Sequence, residues 1–474
     1  MKKTSSKKIF NKAMFSIMAV LFLFSVLPIE TYAEGDSPRA TVGDFVIVGD
    51  PSGYTYENDV LTFSVPGDYE ISMAEGMKQP TTDQIVVDGS TATGPFNITL
   101  DGVSIDVSST GNVCAFEMRE SATVNLILKG DNSLKSGVNF AGLQVPEGAS
   151  IVIDAVDENS SLYAEAAQHG AGIGGGSKNR FGTIIINGGK ITARAMYGAG
   201  IGGGNQSRGG TVIINGGEVD ASSQVAASIG SGRTGSFDMI TINGGKVTAK
   251  TDNTDYSESA GIGGVQGKTE GTIDISGGLV IAIAESIGIG NADIINISGG
   301  QVKADSKKSY GIGFFGELNI TGGIINANGG DTNNPYSIGG SSGTITISGG
   351  TVAVTAGDDS AGIYFYHNQD YQDSSLAITG GSLNARTITA GSVTNGAGHI
   401  TESVYLTKVQ LAGVTTATKL SSLSITFNGR SILMAPTTCT PTTAAHCTCI
   451  CPKARQSPER RPSPVNIPAR SSPR

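Results

Sequence analysis

The sequence predicts an all-β chain, a right-handed parallel β-helix of about eleven rungs with β caps. Three observations predict it: a recurring glycine-pair tetrad, short apolar/polar alternations on either side of it, and a composition rich in glycine and poor in charge. The tetrad Ile-(Asn/Ser/Thr)-Gly-Gly occurs eight times, ending at Gly189, Gly217, Gly245, Gly278, Gly300, Gly323, Gly350 and Gly381. Its intervals of 28, 28, 33, 22, 23, 27 and 31 residues describe a unit of roughly 27 residues with variable loops. Repeats of that length are read as solenoids, in which one unit cannot bury its apolar face alone and neighbours stack to do so.

Each unit carries three apolar positions. The first is the isoleucine of the tetrad: Ile186, Ile214, Ile242, Ile275, Ile297, Ile320, Ile347 and Ile378. The second follows the glycine pair by two residues, as Ile191, Val219, Val247, Val280, Val302, Ile325, Val352 and Leu383. The third lies in Gly-x-Gly-Ile-Gly-like segments, at Ile173, Ile201, Ile229, Ile262, Ile287, Ile312, Ile338 and Ile363. Runs such as Thr183-Ile184-Ile185-Ile186 alternate with the period of a strand, so each unit is three short strands with one set of side chains turned inward. The glycine pair supplies a tight corner that a Cβ would obstruct. The polar residue before it (Asn187, Asn215, Asn243, Ser276, Ser298, Thr321, Ser348, Thr379) is expected to stack as a ladder bonding the backbone of the neighbouring rung.

Weaker repeats begin earlier, at Asn97-Ile98-Thr99-Leu100, Val124-Asn125-Leu126-Ile127 and Ile151-Val152-Ile153-Asp154, which sets the helix at residues 93–400. Residues 34–92 are assigned to an N-terminal β cap, because an open rung would expose a pairing edge. Phe45-Val46-Ile47-Val48, Val60-Leu61-Thr62-Phe63 and Tyr69-Glu70-Ile71 supply its strands. Residues 401–434 alternate as C-terminal strands.

The two ends follow other rules. Residues 1–33 read as a secretory signal peptide: Lys2, Lys3, Lys7, Lys8 and Lys12, an apolar stretch from Ala13 to Leu27, and Thr31-Tyr32-Ala33 before the expected cleavage at Glu34. The stretch is shorter than the roughly 20 apolar residues that a membrane span needs, and none as long follows. A secreted or cell-surface chain with no transmembrane segment after cleavage is therefore expected. From Ala435 the grammar changes to proline, Lys/Arg, and the cysteines Cys439, Cys447, Cys449 and Cys451. The Cys-x-Cys-x-Cys spacing fits few zinc sites. With suitable codons a shifted reading frame reads His446-Cys-Thr-Cys-Ile-Cys451 as an alternating Leu/Tyr strand, so residues 435–474 are expected to be a disordered tail from frameshifted translation, which the DNA sequence would check.

With 68 glycines in 474 residues, 15% charged residues and a net charge of −9, the chain has no basic stripe before its extreme C-terminus. That argues against nucleic acid as a partner, and a monomer is expected. The Gly170–Gly176 run superficially matches a dinucleotide fingerprint, but it leads into strands rather than the helix such a site requires. Gly357-Asp358-Asp359 has the paired carboxylates of a glycosidase without the other elements, and neighbouring strand residues point to opposite faces. The acidic groups Asp154/Asp157/Glu158, Asp252/Asp255/Glu258 and Asp370/Asp373 read as surface charge, and His169 and His399 as structural.

Tyr54-Thr55-Tyr56 with Val60-Leu61-Thr62, Asp83-Gln84-Ile85-Val86-Val87, Asn97 to Val103, the Gly170–Gly176 repeats and Val404-Tyr405-Leu406 carry a resemblance. Over residues 40–430 the chain resembles the carbohydrate-binding β-helix proteins of Gram-positive bacterial surfaces, within the pectate-lyase-like superfamily. The resemblance implies polysaccharide or pectin-like binding, in some members with calcium.

The best binding candidate is the insertion Tyr364-Phe365-Tyr366-His367-Asn368-Gln369-Asp370-Tyr371, since aromatics stack on sugar faces while amides and carboxylates bond hydroxyls. Tyr310, Phe314, Phe315 and Tyr336 on preceding rungs are expected to extend it into one strip. The candidate ligand-binding set is thus Tyr310, Tyr336, Tyr364, Tyr366, Asn368, Asp370 and Tyr371, in a polysaccharide-binding protein without catalytic residues. The alternatives are a structural stalk or adhesin that binds proteins, and a polysaccharide lyase or glycoside hydrolase.

Overall fold

A computed structural model describes residues 38–400 except 78, 252–259, 266–269, 331–335, 356–361, 366–373, 386, 390–391 and 396–398, and short strands between 405 and 447. The expected signal peptide lies outside the described residues. So do Asp358, Asp359 and most of the tail. Among the described residues no helix is long and apolar enough to cross a membrane.

The chain is a parallel β-helix with three faces to each coil. One coil runs through Ile173–Gly174 on face 1, Thr183–Ile186 on face 2 and Lys190–Ala195 on face 3, then repeats at Ile201–Gly202, Thr211–Ile214 and Glu218–Ser223. Face 3 stacks twelve strands in strict sequence order, from Ser104–Asp106 to His399–Ile400. Faces 1 and 2 join into one hydrogen-bonded sheet because Ile287–Ile297 and Tyr310–Ile320 run unbroken across the corner between them.

Register explains the core. On face 2, Ile153, Ile186, Ile214, Ile242, Ile275, Ile297 and Ile320 pair in one continuous column and are all buried. Face 3 contributes a column of Ile191, Val219, Val247 and Val280, and beside it Ala193, Ala221, Ala249 and Ala282. The small residue is needed because faces 3 and 1 converge there: a Cβ on Gly172 would lie 2.7 Å from the Arg194 nitrogen, and one on Gly261 would lie 3.1 Å from Ala282 Cβ. On face 1 the column passes through Ile262, Ile289 and Ile312. This corrects the expectation of Ile287, which pairs with Ala260 and Tyr310 in a small cluster at the adjoining corner. Ile287 and Ile289 both alternate with glycine, so strand periodicity alone cannot choose between them.

The glycine corner is as expected. The second glycine of every tetrad has a left-handed backbone, φ +74° to +86°, which favours glycine. From Asn187 to Ser276 the polar ladder differs from the expectation: it bonds side chain to side chain, not side chain to backbone. Asn215 Nδ2 donates to Asn187 Oδ1 and Asn243 Nδ2 to Asn215 Oδ1, both at 2.8 Å, and Ser276 Oγ donates to Asn243 Oδ1. Stacked rungs lie about 4.8 Å apart, so identical amides in register reach one another directly.

The N-terminal end is closed by antiparallel pairing. Strand β1 (Arg39–Val42) pairs with β2 (Phe45–Val48), and β3 (Tyr54–Glu57) with β4 (Val60–Phe63). Strand β5 (Asp68–Met73) accepts β2 on one edge in antiparallel fashion and Phe96–Asp101 on the other in parallel. Since β4 also pairs in parallel with Gln84–Asp88, coil stacking begins near Val60 rather than near residue 93. Tyr54, Phe63 and Tyr69 fill this end with ring centroids 4.6–6.3 Å apart. At the other end, Leu423–Phe427 pairs with Arg430–Met434. The tail, expected to be disordered, contributes Thr437–Thr438 and His446–Cys447 to two short antiparallel pairings. Cys114 is a buried free thiol.

Candidate functional site

The corner between faces 3 and 1 is where the repeat is most altered. Tyr310 opens the strand Tyr310–Ile320, and register places Tyr336 one rung above it, because Ile312 pairs with Ile338. Tyr364 lies in the next strand, Ile363–Phe365, opposite Gly339. The Tyr336 and Tyr364 rings stack 3.9 Å apart at 10°, and Tyr310 sits 5.7 Å from Tyr336. Phe314 meets the Tyr310 ring edge-on at 5.3 Å and packs on the small cluster Ala227, Ala260 and Ile287. Three of the expected residues thus form one column across three rungs. Tyr336 and Tyr364 are half-buried and Tyr310 is 5% exposed, so Tyr310 is the floor of the column rather than a surface. Burial pushes the Tyr310 phenol well above its usual range, and the neighbouring Tyr336 and Tyr364 add to this. It stays neutral at any ordinary pH.

One expected member is misplaced. Phe315 points into the core, 3% exposed and edge-on to Phe365 at 6.2 Å. Phe314 has a left-handed backbone, φ +53°, which breaks the alternation and turns Phe315 inward. Tyr366, Asn368, Asp370 and Tyr371 lie outside the described residues.

A second ring column had not been expected. His169, read as structural, stacks on Tyr197 at 5.2 Å and 28°, with the Arg233 guanidinium 5.8 Å from the Tyr197 ring. Asn205 Nδ2 lies 3.3 Å from His169 Nδ1. The sequence held the signal: both rings stand four residues before the face 1 isoleucine, in His169-Gly-Ala-Gly-Ile173 and Tyr197-Gly-Ala-Gly-Ile201. On face 3, Tyr163 lies between Lys135 and Arg194 on adjacent rungs, with the cations 5.6 and 5.9 Å from its centroid. Burial, then the hydrogen bond that its hydroxyl donates to Glu165, pushes its phenol up to about 12.

Among the described residues the acidic groups do not converge. Asp157 and Glu158 line a cleft of about 580 Å³ with Asn159, Lys190 and Glu218. The Asp157 carboxylate is taken up by its own turn, accepting the Asn159 and Ser160 N–H groups at 2.8 Å each; these bonds, the Asn159 one foremost, hold it below the usual carboxylate range. Glu218 pairs with Lys246 at 2.5 Å. Among the described residues no group of three or more His, Cys, Asp or Glu side chains gathers to hold a metal ion. Asp252, Asp255, Glu258 and Asp373 lie outside them.

Stacked three-strand coils with corner glycines define the class, a parallel β-helix repeat protein. The sequence matches the family model described as Beta helix repeat over residues 184–205, 209–233, 240–267, 295–313 and 318–342. Each matched segment starts at a face 2 strand and ends at or just past the face 1 strand of the next coil. No curated protein and no solved structure matches the chain significantly.

Proposed function

We propose that this chain is an exported, surface-associated β-helix that binds polysaccharide and carries out no catalysis. The observation that carries the reading is the tyrosine column at the corner between faces 3 and 1, with two half-exposed rings stacked at 3.9 Å on a buried third. With its rings stacked on one another the column turns ring edges and phenol hydroxyls outward, groups that bond sugar hydroxyls, and a column held by a stacked scaffold meets its ligand with little ordering cost. The lysine-rich, apolar start of the chain supports export, and calcium, where it takes part, would be held between loop carboxylates and the ligand.

Screening the chain from Glu34 onward against a panel of neutral and acidic polysaccharides, with and without calcium, tests the reading. Binding to at least one is expected, and Tyr336→Ala and Tyr364→Ala should each weaken it about tenfold, equivalent to 1.4 kcal/mol. Absence of binding to the whole panel would sink the reading. Binding untouched by both substitutions would move the site away from this column.

A further inference from the structure

Face 3 carries a surface feature unlike the rest of the helix. In the strand Leu279–Ala284 every outward residue is apolar: Leu279, Ile281 and Ile283. The strands on either side present Lys246, Thr248 and Lys250 below and Gln301, Lys303 and Asp305 above at the same positions. Two rungs up from Leu279, in the same row, lies Ile324. Leu279 and Ile324 are 38% and 49% exposed, among the most exposed large apolar side chains described. The result is an apolar bar across the sheet with a polar rim, the anatomy of an interface core.

We propose that this face pairs with the same face of a second copy, around a two-fold axis parallel to the Leu279–Ala284 strand. The proposal is independent of glycan binding and replaces the expectation of a monomer. The rows on either side of the bar select this axis. Rotation about it lays each bar on its counterpart and carries the rung below onto the rung above. Lys250 then faces the partner's Asp305, which Lys303 of its own chain also reaches at 2.7 Å, and Lys246 faces the partner's Gln301; one rung further out Asp220 faces the partner's Asn326, and Ile324 packs on the methylene stem of the partner's Glu218. The other in-plane axis, along the stacking direction, sets Lys246 against the partner's Lys250 and Lys303 against the partner's Lys303, placing like charges together beside the bar. An interface between identical copies must be self-complementary in this sense. Five rungs by one strand width cover about 24 Å by about 20 Å. That is on the order of 500 Å² per copy, below the roughly 800 Å² of a standard stable interface, so the dimer is reversible.

Sedimentation equilibrium of the chain from Glu34 onward, from micromolar to near-millimolar and under reducing conditions, tests this. A monomer–dimer equilibrium is expected, abolished by Ile281→Ser combined with Leu279→Ser while the melting temperature stays within a few degrees. Lys250→Asp and Asp305→Lys should each weaken the dimer about fivefold, and together restore it to near the original constant. A monomer at every concentration overturns the proposal. So does a dimer indifferent to the apolar substitutions, or one that the charge-swapped pair fails to restore.

Discussion

Residues 183–251 and residues 310–365 belong to one β-helix but tolerate different things. In the first stretch the inward and glycine-corner positions repeat their residue type from rung to rung: Ile186, Ile214 and Ile242 inside, and Asn187, Asn215 and Asn243 at the corner. In the second the inward columns persist, through Ile320 and Ile347 on face 2 and Ile312, Ile338 and Ile363 on face 1. The polar corner between faces 2 and 3 continues as Thr321 and Ser348, but the corner between faces 3 and 1, held by the buried Ala199 and Ala227 in the first stretch, is taken over by Tyr310, Tyr336 and Tyr364. An inward side chain is shared by the rungs above and below, so changing one disturbs three. A corner side chain has neighbours on fewer sides and is free to acquire another role.

The sharpest way to break that contrast is to truncate one member of each column. Ile214 is fully buried between Ile186 and Ile242, and Ile214→Ala should cost about 2–5 kcal/mol. Tyr364→Ala should cost less, about 0.5–1.5 kcal/mol for the stacking together with the burial of half its ring. Urea unfolding of both variants measures the difference. Equal losses would mean that the tyrosine column is as integral to the scaffold as the isoleucine stack.

The tetrad made the fold legible because it fixes the corner, and the corner fixes which alternate residues turn inward. Where alternation was locally ambiguous, the sequence misled. Ile287 and Ile289 share parity, and between Phe314 and Phe315 the inward residue was decided by one left-handed backbone angle that no composition rule announces. The alanine column on face 3 was visible as Ala193 but its reason was not, since the close approach of face 1 is a tertiary fact. In the candidate site, Tyr310, Tyr336 and Tyr364 could be grouped from spacing alone, but their burial could not. The His169–Tyr197 stack was missed because two residues 28 apart become neighbours only once the register is known.

A pair of glycines with the same backbone sharpens the comparison between coil and cap. Gly217 and Gly76 have φ of +79° and +78°. A Cβ on Gly217 would lie 2.7 Å from the Gly189 carbonyl oxygen of the rung below, whereas one on Gly76 meets nothing within 4 Å. The conformational cost of alanine is common to both, about 1–2 kcal/mol. The excess at Gly217 is the close approach of rungs, for which about another 1 kcal/mol is expected. Chemical denaturation of Gly217→Ala and Gly76→Ala isolates it. Equal costs would show that neighbouring rungs can move apart at the corner without loss.

A further effect concerns a charge held at the boundary between regular coil and altered corner. Glu285 follows the apolar strand Leu279–Ala284 with its side chain 3% exposed, and pairs with Lys307 and with Lys308 at 3.4 Å from the next rung. Burial by itself would raise its carboxyl, but the two ammonium groups outweigh burial and hold it below its ordinary value of 4.5. A carboxyl with a depressed folded-state value stabilises the fold above its unfolded value and loses that contribution as pH falls through the folded one. Glu285→Gln should therefore cost the lower end of about 1.5–3 kcal/mol at neutral pH, because both lysines remain solvated without their partner. The gap between the two proteins should shrink as the pH drops below 4.5, since protonation takes the same charge from the wild-type chain. Urea unfolding at neutral and acid pH measures that gap. A gap that stayed constant across the range would assign the loss to packing at the corner and leave the ion pair without a part in holding the two stretches together.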